Sequence, residues 1–166
     1  MTESGRTFGD VVDAHQAEVL RYLRWLTGDP IEAEDLFQET FLRALSAFDR
    51  LRTESNHRAW IYRIATNAFL NHRRHKRRRN EVPLGVELTA PGRSPDLQYQ
   101  ARAAATACRE AVVALPSKQR AAFVQRNVLG WDYSRIAEVM GCTCAAARAN
   151  VYQAARRLRR LLADME

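Results

Sequence analysis

The chain has 166 residues, a formal net charge of +7 and 27% charged residues. That length allows one ordinary domain or two small ones. No apolar run is long enough to cross a bilayer, and Met1–Asp10 lacks the apolar core of an export signal. Three cysteines (Cys108, Cys142, Cys144) are an odd number in such a chain, which argues against a disulfide scaffold. A cytoplasmic protein is expected.

The charge is unevenly spread. Residues 1–71 carry a net −3, residues 72–80 carry +6, residues 81–100 carry −2 and residues 101–166 carry +6. Two separated basic blocks predict two separate contacts with a polyanion. Arg outnumbers Lys 24 to 2, and Arg suits phosphates and base edges; a GC-rich genome gives the same bias.

The first helix starts at Thr7, with Asp10 three residues on to complete a capping box. Phe8, Val11, Val12, Val19, Leu23 and Leu26 keep its period, and Gly28 supplies a left-handed stop. Asp29 then caps a second helix with Pro30 in its first position. In that helix Leu36, Phe37, Thr40, Phe41, Ala44, Leu45 and Phe48 are expected on a buried stripe. Asp35, Gln38, Glu39 and Leu42 fall on the opposite face. An acidic, amide-bearing patch on a basic protein suits a protein partner that offers Arg or Lys. The expectation is that this face docks the chain on a large enzyme.

Polar residues Arg52–Asn56 break the pattern. A third helix is expected to bury Trp60, Ile61, Ile64, Ala65, Ala68 and Phe69. Its other side presents Tyr62, Arg63, Thr66, Asn67 and Asn71, and it runs into Arg73-Arg74-His75-Lys76-Arg77-Arg78-Arg79. Aromatic, amide and cationic groups stack on unpaired bases, bond their edges and hold phosphates.

Residues 81–100 hold Pro83, Pro91, Pro95, Gly85 and Gly92 and read as a flexible linker. No strand is needed anywhere, so the fold is expected to be all-α: two small helical domains, 1–80 and 101–166, on either side of that linker. Near the start of the second, Leu97, Ala101, Ala104, Ala105, Cys108, Ala111, Val112 and Leu115 form one helix face. Pro116 opens a further helix, with Ala121, Phe123, Val124 and Val128, that stops at Gly130. Tyr133–Tyr152 then has a helix-turn-helix pattern. Ala137 is small where two helices cross, Gly141 tolerates positive φ in the turn, and Thr143 caps the next helix. Ile136, Met140, Ala147 and Val151 are the packing positions. The second helix of the motif is expected to enter a major groove, with arginines from 156 onward near phosphates.

Ala33-Glu34-Asp35-Leu36-Phe37-Gln38-Glu39-Thr40-Phe41, then Trp60-Ile61-Tyr62-Arg63-Ile64-Ala65-Thr66-Asn67, the Pro/Gly segment, Leu115-Pro116 and the helix-turn-helix together resemble bacterial sigma factors of the extracytoplasmic-function group. The resemblance covers nearly the whole chain. It implies an alternative sigma factor, with sigma region 2 at 1–80 and region 4 at 101–166, that binds core RNA polymerase and directs promoter-specific initiation. Asp35, Gln38, Glu39 and Leu42 would meet the coiled-coil clamp of the largest polymerase subunit. Asn56, Arg58, Trp60, Tyr62, Arg63, Asn67, Asn71, Arg73 and Arg74 would bind and melt the minus-ten element, where a flipped base gains stacking and edge bonds in exchange for lost stacking. Thr143, Ala146, Arg148, Asn150, Tyr152, Gln153, Arg156 and Arg157 would read the minus-thirty-five element as duplex. The family often has a Gly-Thr-Val-Lys-Ser-Arg type of run in this helix. Here Ala145-Ala146-Ala147-Arg148-Ala149-Asn150 stands instead, and alanines offer only methyl contacts, for example to thymine. The resemblance also implies an anti-sigma partner. No catalytic residue, metal or cofactor is expected, and no membrane contact.

Other patterns weigh less. Cys142-Thr143-Cys144 fits zinc spacing poorly and has no second pair. His72 and His75 lie among arginines, which disfavour a cation. Glu32, Glu34, Asp35 and Glu39 lack the histidine partners of a carboxylate metal enzyme. A stand-alone helix-turn-helix repressor or activator is the alternative reading, but it has no need of the acidic face.

Overall fold

The computed structural model describes residues 5–52, 55–79 and 97–164, and among them there are seven helices and no strand. The expected linker falls mostly on residues 80–96, outside the described ones; Leu97–Gln100 already belong to a helix.

The N-terminal half is built from α1 (Phe8–Thr27), α2 (Pro30–Phe48) and α3 (His57–Arg78). Thr7 and Asp29 cap the first two helices as expected, and Asn56, at the end of the polar break, caps the third. Thr7 and Asp10 cap each other's backbone amides at 3.2 and 2.8 Å. Asp29 accepts from the Ile31 amide at 2.9 Å, and Asn56 accepts from the Ala59 amide at 3.1 Å. Gly28 ends α1 at φ 68°, a left-handed conformation that costs glycine nothing. The three helices bury Val11, Val19, Leu23 and Leu26 against Ala33, Leu36 and Ala44, and against Ile61, Ala65 and Phe69.

Two parts of that expectation need correction. Leu45 is 55% exposed rather than on the buried stripe. It lies nine residues from Leu36, half a turn away at 100° per residue, so the two cannot share a face. Tyr62 and Thr66, expected on the open side of α3, are both fully buried. The cause is a second packing partner for α3, the C-terminal half of the chain.

That half comprises α4 (Leu97–Val113), α5 (Ser117–Asn127), α6 (Tyr133–Met140) and α7 (Cys144–Ala163). The long apolar face read on α4 is buried only at its end, through Ala111 and Val112. Leu97, Ala101, Ala104, Ala105 and Cys108 are exposed. The helix-turn-helix is as expected. Asp132 caps α6 through the Arg135 amide at 2.8 Å, Gly141 turns the chain at φ 66°, and Thr143 caps α7 through the Ala146 amide at 3.1 Å. Ile136, Ala147 and Val151 are buried, and Met140 is half-buried. α7 packs on α5 and α6.

The halves are not independent bodies. α6 and α5 pack on α3, while α4 and α5 pack on α1. The buried apolar side chains of both halves form one continuous cluster.

Two glycines should respond differently to alanine. A Cβ at Gly141 meets nothing closer than 3.9 Å, so only backbone strain is added; a Cβ at Gly28 lies 2.7 Å from a methyl of Val113. Gly141→Ala is expected to cost roughly 1 kcal/mol, and Gly28→Ala measurably more, in equilibrium urea unfolding.

Candidate nucleic-acid interface

The predicted polymerase-facing residues lie together on α2. Asp35, Gln38 and Leu42 are exposed and Glu39 is half-exposed. Glu39 forms an i,i+4 ion pair with Arg43, which tempers its charge. The same face carries two apolar residues that the sequence reading left out, Ile31 at 73% and Leu45 at 55% exposure. Ile31, Asp35, Gln38, Leu42 and Leu45 follow one another at steps of four, three, four and three. That is the seam spacing with which a helix lies along a coiled coil. Its presence was legible in the heptad positions; it was hidden by assigning Leu45 to the core.

The expected base-reading face of α3 is divided. Asn56 is the α3 cap, and Asn67 and Arg63 are exposed. Trp60 is half-buried beside the ring of Phe48, with centroids 6.3 Å apart. Tyr62 sits edge-on between Tyr22, at 5.1 Å, and Trp131, at 4.8 Å. Burial pushes the Tyr62 and Tyr22 hydroxyls up, the latter to about 12. Arg58 bonds both carboxylate oxygens of Glu18, at 3.0 to 3.2 Å, and its guanidinium lies over the rings of Tyr62 and Trp131. The Glu18 bond raises the Arg58 pKa. Burial works against the Glu18 charge, but bonds from Arg58 and His15 outweigh it and hold the carboxyl below its ordinary value.

At the far end of α3, Glu32 of α2 bonds Lys76 at 3.1 Å and pairs with His72 at 2.9 Å. The basic tail is thereby fixed to the body. Arg74, Arg77, Arg78 and Arg79 stay exposed, while Asn71 and Arg73 are half-buried. An exposed cation row of this kind suits a phosphate backbone.

Several fully buried polar groups lie where the halves meet, and sequence reasoning missed them. Gln125 of α5 donates to the Tyr22 hydroxyl at 2.8 Å, which shares a 2.8 Å bond with Thr66 of α3. Arg120, also of α5 and only 1% exposed, donates to the carbonyl of Leu115 and, across the halves, to that of Leu26. Its guanidinium covers the Phe69 ring at 5.4 Å. Burial, and then the charge of Arg73, lower its pKa to about 9. Two carbonyls and a ring offset only part of what desolvating a cation costs. A hint existed in the sequence: Gln125 follows Ala121 by one turn and adjoins Val124, so it is a polar residue inside an apolar stripe.

The recognition face of α7 is open. Arg148, Tyr152, Gln153, Arg156 and Arg157 are exposed. Arg148 lies over the Tyr133 ring and Arg156 over Tyr152, and Gln153 accepts from Gln119 at 3.0 Å. Thr143 is held as a cap and Asn150 donates to the Ala146 carbonyl at 3.1 Å. Ala146 is half-buried. Gln119, Gln153, Arg156, Arg157 and Arg160 line a polar recess of about 270 Å³ suited to a phosphate. The three cysteines are free, and burial pushes the Cys142 thiol up.

Comparison with known proteins matches both halves. Residues 11–79 match the Sigma-70 region 2 family, and residues 107–158 match the Sigma-70, region 4 family. A probable RNA polymerase sigma-C factor of Mycobacterium bovis is 33% identical, over 98% of this chain and 85% of that protein. The chain belongs to the ECF RNA polymerase sigma factor family. The ECF sigma factor SigL of Mycobacterium tuberculosis is 30% identical over 92% of this chain and 87% of its own. Among solved structures, the sigma factor RpoE of Bartonella quintana, in complex with the anti-sigma factor NepR, superposes with a TM-score of 0.70. It is 26% identical, and the match covers 93% of this chain and 96% of that one. The protein is therefore an alternative sigma factor, a subunit that directs RNA polymerase to promoters for initiation. No described helix is long and apolar enough to cross a membrane.

The Glu18–Arg58 pair makes a pH-dependent contribution. A carboxyl held below its ordinary value of 4.5 stabilises the fold above that pH and ceases to do so as pH falls through its folded value. Wild type is expected to exceed Glu18→Gln by about 1 kcal/mol near neutrality. Denaturant unfolding across pH 7 to roughly pH 3 should show the difference vanish on the acid side.

Proposed function

We propose that this sigma factor docks on core polymerase through the α2 seam and reads its promoter through α3 and α7. The observation that carries the first part is the exposed line Ile31, Asp35, Gln38, Leu42 and Leu45. Apolar residues interleaved with an acid and an amide suit a coiled coil that offers Leu or Val beside Arg. The clamp of the largest subunit is such a partner, and Ile31 and Leu45 join the residues expected to touch it.

In this reading residues 1–80 act as region 2. Trp60, Arg63, Asn67 and Asn71 hold a flipped minus-ten base and its neighbours, with Asn56 and Arg58 at the helix start. Arg73, Arg74 and the cations beyond them steady the phosphates. Residues 101–166 act as region 4, with Arg148, Asn150, Tyr152 and Gln153 toward the minus-thirty-five bases. Thr143, Ala146, Arg156 and Arg157 border the backbone. Two moderate DNA contacts on one polymerase raise each other's effective concentration. The chain itself performs no chemistry; catalysis belongs to the polymerase. It works in the cytoplasm, where that enzyme is, and an anti-sigma factor that masks these faces is an expected regulator, as NepR partners the Bartonella protein. A stand-alone repressor or activator is the competing reading, and such a protein leaves the α2 seam without a use.

Pull-down of core polymerase tests the reading. Asp35→Ala, Gln38→Ala and Leu45→Ala are each expected to weaken core binding about tenfold, the scale of an interface hot spot, with matching loss of run-off transcript. Wild-type chain that fails to bind core while repressing a template alone would select the competing reading. In promoter binding by holoenzyme, Arg156→Ala or Arg157→Ala should each lower the slope of log affinity against log salt by about one.

A further inference from the structure

The open face of α7 is poor in groups that read a base. Cys144, Ala145, Arg148, Ala149, Tyr152 and Gln153 are exposed along its first three turns. The two amides there are already engaged. Asn150 is half-buried and donates to the Ala146 carbonyl of its own helix, and the Gln153 oxygen accepts from Gln119. A bidentate contact to adenine needs both ends of such an amide. Arg148 differs: among the described residues it has no ion pair and no hydrogen bond, and its guanidinium lies 5.1 Å from the centre of the Tyr133 ring. That ring is itself fixed. Tyr133 opens α6 directly after the cap Asp132 and packs, half-buried, against the core. Arg126, bonded to the Trp131 carbonyl at 2.9 Å, lies 4.6 Å from the same ring centre.

We propose that Arg148 is the one side chain of α7 that reads a base by hydrogen bonds, that Tyr133 is its positioning residue, and that a single guanine dominates the minus-thirty-five element of this sigma factor. This rests on the proposed entry of α7 into the major groove. It narrows the set of residues placed toward the bases there: Asn150 and Gln153 hold the helix surface in shape, and Arg148 discriminates.

Guanine presents two acceptors in the major groove, O6 and N7, which match the fork of a guanidinium; adenine presents one acceptor beside a donor. A solvated arginine samples many rotamers, and ordering it on a base offsets part of what the contact gains. Stacking on Tyr133 orders Arg148 before DNA arrives. Ala145 and Ala149, one turn before it and one residue after, add only methyl groups. These favour a thymine methyl weakly and do not reject another base. Arg156 and Arg157 hold phosphates, which fixes register without reading sequence. The result is one strongly discriminated base pair among weakly discriminated neighbours.

Promoter binding by holoenzyme, made from core and the full chain, tests this. Genomic fragments that the holoenzyme retains supply a promoter, and each base pair of its upstream element is then changed in turn. Replacing the one guanine by adenine is expected to lower affinity about tenfold or more, and changes at the other pairs about threefold or less. Arg148→Ala should abolish the preference at that pair, leave the others as they were and keep the salt slope of wild type, since no phosphate contact is lost. Tyr133→Phe keeps the ring and should keep the preference. Tyr133→Leu keeps apolar bulk without a π face, and should weaken the preference at that pair several-fold while the remaining pairs are read as before. Equal loss of affinity for every sequence in Tyr133→Leu would mean a merely structural tyrosine and would overturn the proposal. So would a guanine preference that survives Arg148→Ala, or strong discrimination spread over several upstream pairs. Retained fragments with no common upstream element would strike the reading of α7 itself, and this inference with it.

Discussion

Tyr62 occupies the position on which the rest of the structure depends. Its ring is wedged edge-on between Tyr22 of its own half and Trp131 of the other. Through it, α3 packs on both halves of one continuous core. A helix buried on two sides keeps few side chains for solvent, and on α3 those are Arg63, Asn67 and the cations of its last turns.

Electrostatics follow the same division. The acidic residues of the N-terminal half are spent in different ways. Glu18 restrains Arg58, Glu32 restrains Lys76 and His72, and Glu39 pairs with Arg43. Asp35 stays exposed on α2 for a partner. The cations of α7 and of the α3 tail are mostly turned to solvent. A basic chain thus keeps a small non-basic strip, and that strip is where its large protein partner is expected.

Much of the architecture could be read in one dimension. Caps at Thr7, Asp29, Asn56 and Thr143 are local contacts spanning two or three residues, and Gly28 and Gly141 need positive φ whatever surrounds them. The helix-turn-helix follows from such local rules and from a regular apolar period. Leu45 escapes such rules because the run of apolar residues on α2 is wider than one face. Ile31 escapes them because it stands between Pro30 and Glu32, in the capping turn of the helix.

The sequence by itself determined the helices, their ends, the two-part order and the family, because each rests on interactions between near neighbours or on motif order. Only the tertiary structure decided that Tyr62 and Thr66 are hidden, that Arg120 is a buried cation and that Gln125 reaches across to Tyr22. Those contacts join residues 59 to 103 positions apart. No local period encodes them: a polar side chain at a helix surface reads as solvent-facing until a second surface closes over it.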